Sequence, residues 1–170
     1  MKCCPEEIPA PLSREQEQVW RLDQTAGKQS PLHNESITIH RHGPCDPILV
    51  ERSLAEIIRR HEIWRTTFEV VEGRPVQVVH PPTPFTLPVT DLRSLPRSER
   101  EKKAVDLATQ DARQPFDLKQ GPLLRARLIT LDDAEHRLYL TAHQIIVDGI
   151  TVFDLFPFEL TTLYESFAAG

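Results

Sequence analysis

Ala142-His143-Gln144-Ile145-Ile146-Val147-Asp148-Gly149-Ile150-Thr151 closes a run of strand chemistry and opens a helix, with polar side chains gathered at the turn between them. Arg137 to Ile146 is rich in the β-branched, aromatic and aliphatic residues that suit a strand packed on one face. Asp148-Gly149 supplies a turn and a helix cap, because a short carboxylate accepts hydrogen bonds from the first free N–H groups of a helix. Beyond it, Phe153, Phe156, Leu160, Leu163, Tyr164 and Phe167 recur near helical spacing, with Pro157 starting or kinking the helix. His143, Gln144, Asp148 and Gly149 therefore meet at a strand-to-helix junction.

Working outward, Leu123 to Leu131 is a second strand-like run, joined to Arg137–Ile146 across Asp132-Asp133-Ala134-Glu135 as a hairpin. A second hairpin is predicted from Arg65–Val71 and Pro75–His80 across Glu72-Gly73-Arg74. Glu35 to His42 alternates, with Ile37 and Ile39 on one side and Ser36, Thr38 and His40 on the other, as a half-buried strand does. Ser13 is placed to cap a helix running to about Gly27. Asp46-Pro47 caps a second, whose stripe is Ile48, Val50, Leu54, Ile57, Ile58 and His61. Ser98, Glu99 and Glu101 open a charged helix with Ala104, Val105, Ala108 and Ala112 turned inward. Residues 1–12, with Pro5, Pro9 and Pro11, read as an extended lead-in, and the prolines between Pro81 and Pro96 as a surface connector. This order gives an α+β fold with a mixed or largely antiparallel sheet and helices packed on it, rather than a βαβ nucleotide fold.

Composition excludes several classes. The 20 basic and 25 acidic residues are interspersed and leave a net charge of −5, so no basic stripe is available to nucleic acid. No apolar run approaches membrane-spanning length, and the start of the chain lacks the apolar core of a secretory signal. Cys3, Cys4 and Cys45 have no metal-binding spacing, and read as reduced thiols of a cytoplasmic protein. No phosphate-binding glycine loop and no nucleophile elbow is present. No directly bound cofactor or metal is expected.

Three segments, in order, resemble the first three core motifs of the condensation domains of nonribosomal peptide synthetases. They are Ser13-Arg14-Glu15-Gln16-Glu17-Gln18-Val19-Trp20-Arg21-Leu22, Arg60-His61-Glu62-Ile63-Trp64-Arg65-Thr66-Thr67-Phe68, and His143 to Thr151. Gln114-Pro115-Phe116-Asp117-Leu118 and Gly121-Pro122-Leu123-Leu124-Arg125 are similar to the family's pattern ahead of the third motif. The second motif is nearly complete. The first carries Glu15 and Gln18 in place of the usual alanine and arginine. The resemblance runs from about Pro11 to the end, and implies that residues 13–170 are an N-terminal lobe of chloramphenicol acetyltransferase-like topology, without the C-terminal lobe.

The resemblance further implies amide-bond formation between an acyl group and an aminoacyl group, each presented on the phosphopantetheine arm of a partner carrier protein beside neighbouring synthetase domains. The family motif has two adjacent histidines, the second of which meets the attacking amine; here that place holds Gln144, behind His143 as the supporting first histidine. Asp148 and Arg65 are expected to form a structural ion pair, and Gly149 to open the backbone beside the substrate tunnel. Gln144 keeps an acceptor and a donor but does not titrate near neutral pH. The alternative is a non-catalytic remnant that docks carrier proteins or synthetase partners.

Overall fold

The computed structural model describes residues 9–26 and 30–170; the lead-in up to residue 8 with Cys3 and Cys4, and the expected helix end at Gly27, lie outside the described residues. The chain begins with a short strand β1 (Ala10–Pro11) and helix α1 (Arg14–Ala26). Ser13 caps α1 reciprocally: its Oγ accepts from the Gln16 N–H at 3.1 Å, and Gln16 Oε1 accepts from the Ser13 N–H at 2.8 Å. Strand β2 (Asn34–His42) follows, then helix α2 (Pro47–Arg60), capped by Asp46 Oδ1 accepting from the Ile48 N–H at 2.8 Å. A tight turn of helix, Glu62–Arg65, leads into the hairpin of β3 (Thr66–Val71) and β4 (Arg74–Val79). Its two-residue turn is Glu72-Gly73, both with positive φ (51° and 79°), which matches the right-handed twist of the flanking strands. Arg74 starts β4 instead of completing the turn.

Strand β5 (Val89–Asp91), helix α3 (Arg97–Arg113), strands β6 (Leu124–Asp132) and β7 (Glu135–His143), and helix α4 (Phe156–Ala169) complete the order. The larger sheet has the order β2-β7-β6-β5, antiparallel except for the β5–β6 pair; β1-β4-β3 is a separate antiparallel sheet. The sheet architecture is therefore mixed, and the fold α+β.

Strand alternation sorts the core into two layers. Leu124 and Leu128 of β6 and Leu138, Leu140 and Ala142 of β7 face the main core, where Val50, Leu54 and Ile57 of α2 and Phe156, Leu160 and Leu163 of α4 cover them. Ile129 and Leu131 point the other way and meet Leu92 and Ala104 beneath α3. Four residues of the expected stripes instead face solvent: Ile48 is 73% exposed, Val105 47% and Phe153 64%, and His61 is exposed at the C-cap of α2. Ile48 lies in the first turn of α2, outside the buried stripe, and α3 presents Ala104 and Leu107 to the sheet, which carries Val105 off the contact. No helix among the described residues is long and apolar enough to cross a membrane.

Candidate functional site

Strand β7 ends at His143, one residue before the polar turn, because the Gln144–Ile146 segment winds into a single tight turn of helix rather than continuing the strand. His143 is held from all sides. Its N–H donates to Leu123 O at 3.0 Å, and its Nδ1 accepts the Ile145 N–H at 3.1 Å. With Nδ1 occupied as an acceptor, the neutral ring carries its proton on Nε2, which faces Asp23 Oδ1 of α1 at 3.5 Å. The His33 ring lies 5.9 Å away and the Phe116 ring stands edge-on at 6.2 Å. Burial pushes the His143 pKa below its ordinary value, against the opposing pull of the Asp23 carboxylate. Nδ1 is thus committed to the backbone, while Nε2 is buried beside the Asp23 carboxylate without a hydrogen bond, which suits a supporting role.

The Gln114–Arg125 segment keeps Phe116 in place. Arg125 stacks its guanidinium over the Phe116 ring at 3.7 Å and donates to the Gln114 carbonyl. Leu118 O accepts the Phe68 N–H at 2.8 Å, and Gly121 takes φ +52° where an added Cβ would stand 3.1 Å from Thr67 Cγ2. A cavity of about 330 Å³ opens between α1 and this segment, lined by Trp20, Asp23, Phe68, Phe116 and Lys119 among others. Asp23 and Phe116 border both this cavity and His143.

Gln144 turns the opposite way and is exposed. Its backbone does the structural work: the N–H donates to His33 O at 2.7 Å and the carbonyl accepts the Val147 N–H at 3.4 Å. The side-chain amide has no partner among the described residues, so its carbonyl and NH₂ are open to a ligand.

Asp148 and Arg65 do not pair in this structure, contrary to expectation. Asp148 is exposed at the N-cap of the helical segment that starts at Gly149; its Oδ1 accepts the Thr151 N–H at 2.7 Å and its carbonyl accepts the Val152 N–H at 3.0 Å. These backbone donors hold the Asp148 carboxyl below the usual carboxylate range. Arg65 donates to the His80 carbonyl, accepts the His80 N–H at its own carbonyl (3.0 Å), and lies 3.4 Å from Glu62. Helix-end N–H donors engage Asp148, and the strand-end carbonyl of His80 accepts from Arg65, so each group is engaged separately. Gly149 has a φ open to any residue, and an added Cβ would meet nothing within 4 Å, so its backbone borders open space.

The helix after Gly149 holds an unexpected surface. A single π turn, Thr151–Leu155, precedes α4, and Ile150, Phe153, Leu155 and Phe158 are 65%, 64%, 58% and 73% exposed. An extra residue per turn rotates the apolar stripe, which carries Phe153 outward while Phe156 packs edge-on against Trp64 at 5.4 Å. These four side chains flank Asp148 and Gly149 on the chain.

Known proteins are similar to this chain over nearly its whole length. A family model described as condensation domain matches residues 7–170. A linear gramicidin synthase of Brevibacillus parabrevis is 42% identical over 98% of the chain, and chondramide synthase of Chondromyces crocatus 41% identical over 94%. The chain spans 2% and 4% of those two relatives. Among solved structures, the first condensation domain of the CDA synthetase superposes with a TM-score of 0.88 at 24% identity, covering 96% of this chain and 41% of that one. The first condensation domain of the calcium-dependent antibiotic synthetase, in complex with a substrate analogue, gives 0.84 at 25% identity over 94% and 39%. On the length of the match and the identity to these synthetases, the chain belongs to the condensation-domain family of nonribosomal peptide synthetases.

Proposed function

We propose that residues 13–170 serve as the N-terminal lobe of a condensation site, in which amide bonds form between acyl and aminoacyl groups carried on the phosphopantetheine arms of partner carrier proteins. The amine nitrogen attacks the donor thioester carbon, the new C–N bond replaces the C–S bond, and the departing thiolate takes up the proton the amine loses. The exposed, unpartnered Gln144 amide carries this reading, since it stands where the family motif places its second histidine. Gln144 Oε1 accepts a hydrogen bond from the amine and aims its lone pair, but takes no proton. That leaves positioning and forgoes a general-base contribution of roughly 10²–10⁴ in rate. His143, Asp148 and Gly149 support the turn that presents it, and Arg65 secures the hairpin end.

A second reading, a carrier-protein docking lobe without chemistry, draws support from the same glutamine and from the separate engagement of Asp148 and Arg65. The two part in one experiment. The chain is supplied with a complementary C-terminal lobe and loaded carrier proteins, and product is followed by mass spectrometry for Gln144 and for Gln144→His. Slow product from the native chain, raised by histidine, supports the condensation site; no product from either form with carrier binding retained leaves docking.

A further inference from the structure

Asp23 stands in the last turn of α1 with its side chain only 17% exposed, and its one polar neighbour among the described residues is the His143 ring. That imidazole is 3% exposed, and its Nε2 has no hydrogen-bond partner. A carboxylate from one motif segment therefore faces the single unengaged nitrogen of another.

The ring has one state that suits both of its neighbours. Nδ1 accepts the Ile145 N–H at 3.1 Å with a bare lone pair, so the proton of the neutral ring sits on Nε2 and points toward Asp23 Oδ1 at 3.5 Å. Turning the ring over puts a carbon in place of Nδ1 and loses the Ile145 bond. Moving the proton to Nδ1 sets two donors against each other and turns a lone pair toward the carboxylate. Burial leaves little water to screen that penalty, so the Asp23 charge disfavours the second change strongly.

What depends on the ring is the turn that carries Gln144. The Gln144–Ile146 turn is closed by a 3.4 Å bond from the Val147 N–H to the Gln144 carbonyl, and is otherwise tied by the Gln144 N–H to His33 O at 2.7 Å and the Ile145 N–H to His143. Only the last tie runs through a side chain that can move away. The cavity of about 330 Å³ beside Asp23 gives the ring somewhere to turn once nothing draws Nε2 to its place.

We infer that Asp23 is a positioning residue of the site: from α1 it keeps His143 in the ring state that pins the Ile145 N–H, and through that turn it aims the Gln144 amide. The contacts from Asp23 to Ile145 lie within the fold, and their bearing on amide formation rests on the reading of Gln144 proposed above.

Two variants test it. Asp23→Leu removes the group facing Nε2; Asp23→Asn keeps a carbonyl oxygen there without the charge. Nitrogen NMR of the chain, at a pH where His143 is neutral, reads the ring state, and hydrogen exchange reads the Ile145 amide against the core amides of β7. Asp23→Leu should mix the ring states and speed Ile145 exchange about tenfold relative to β7, and Asp23→Asn, which is close to isosteric, should fall between Leu and native. With a complementary C-terminal lobe and loaded carrier proteins, Asp23→Leu should lower kcat about tenfold with the acceptor KM within about twofold, and Asp23→Asn should recover part of the loss. A native ring state and native Ile145 protection in both variants would overturn the inference at its structural step. A loosened turn with native kcat would overturn its catalytic step. No product from the native chain would refute the reading of Gln144 and the catalytic step with it, while the spectroscopic result still decides whether Asp23 holds the turn.

Discussion

Substituting Asp148 and Arg65, singly and together, discriminates between a cap and an ion pair by magnitude. As an exposed N-cap with one side-chain bond to Thr151, Asp148→Ala should cost about 0.5–2 kcal/mol, the range for helix caps. A buried Asp–Arg pair broken from one side would cost roughly 3–5 kcal/mol. Arg65 is engaged elsewhere, by the His80 carbonyl and Glu62, so its replacement by alanine should add to the Asp148 effect rather than overlap it. The coupling in a double-mutant cycle should therefore fall within about 0.5 kcal/mol of zero. Urea unfolding followed by the fluorescence of Trp20 and Trp64 gives the four free energies. The pH dependence carries the same signature. Because the Asp148 carboxyl is depressed in the fold, its contribution is present above the ordinary carboxylate range and is lost as pH falls through the folded value, and Asp148→Ala should remove that part of the acid sensitivity. A coupling above about 1.5 kcal/mol, or an Asp148→Ala loss beyond about 3 kcal/mol, would refute the cap assignment.

Three further outcomes are expected. Gln144→His should leave stability within about 0.5 kcal/mol of the native chain by urea unfolding, since only the backbone of residue 144 is engaged. Asp23→Asn should lower the His143 pKa further, read by NMR titration of its ring protons, because the carboxylate is the group that opposes the effect of burial. In the native chain a depressed His143 makes stability fall as pH drops below the ordinary histidine range, and Asp23→Asn should extend that fall to lower pH. Gly121→Ala should destabilise by about 1–3 kcal/mol in thermal or urea unfolding, from the positive φ and the 3.1 Å approach to Thr67 together.

Features governed by neighbouring residues were legible in the chain, and those decided by tertiary competition were not. Asp46-Pro47 starts α2 and Glu72-Gly73 turns the hairpin because a cap and a positive φ are local demands. β5 escaped notice because three residues after a proline run become a strand only when β6 offers a parallel partner. The outward Phe153 follows from the π turn, which breaks the 3.6-residue period that the pattern assumes. At the site, the motif located His143, Gln144, Asp148 and Gly149 on one turn, but not what each would bond. Asp148 had two possible partners, and the helix N-terminus three residues away wins over an arginine from another element. Asp23 drew no role from the sequence, since spacing across 120 residues gives no sign that it would meet His143.

The division of labour at Gln144 has an evolutionary reading. The turn is fixed by main-chain bonds to His33 and Val147, while the side chain touches nothing the fold depends on. Exchange of histidine and glutamine there is expected to pass unnoticed by stability, so selection for a folded protein would neither preserve a chemical group at this position nor penalise its loss. On the proposed function, a lineage would silence such a site, or reawaken it, by a single residue change while the protein folds as before.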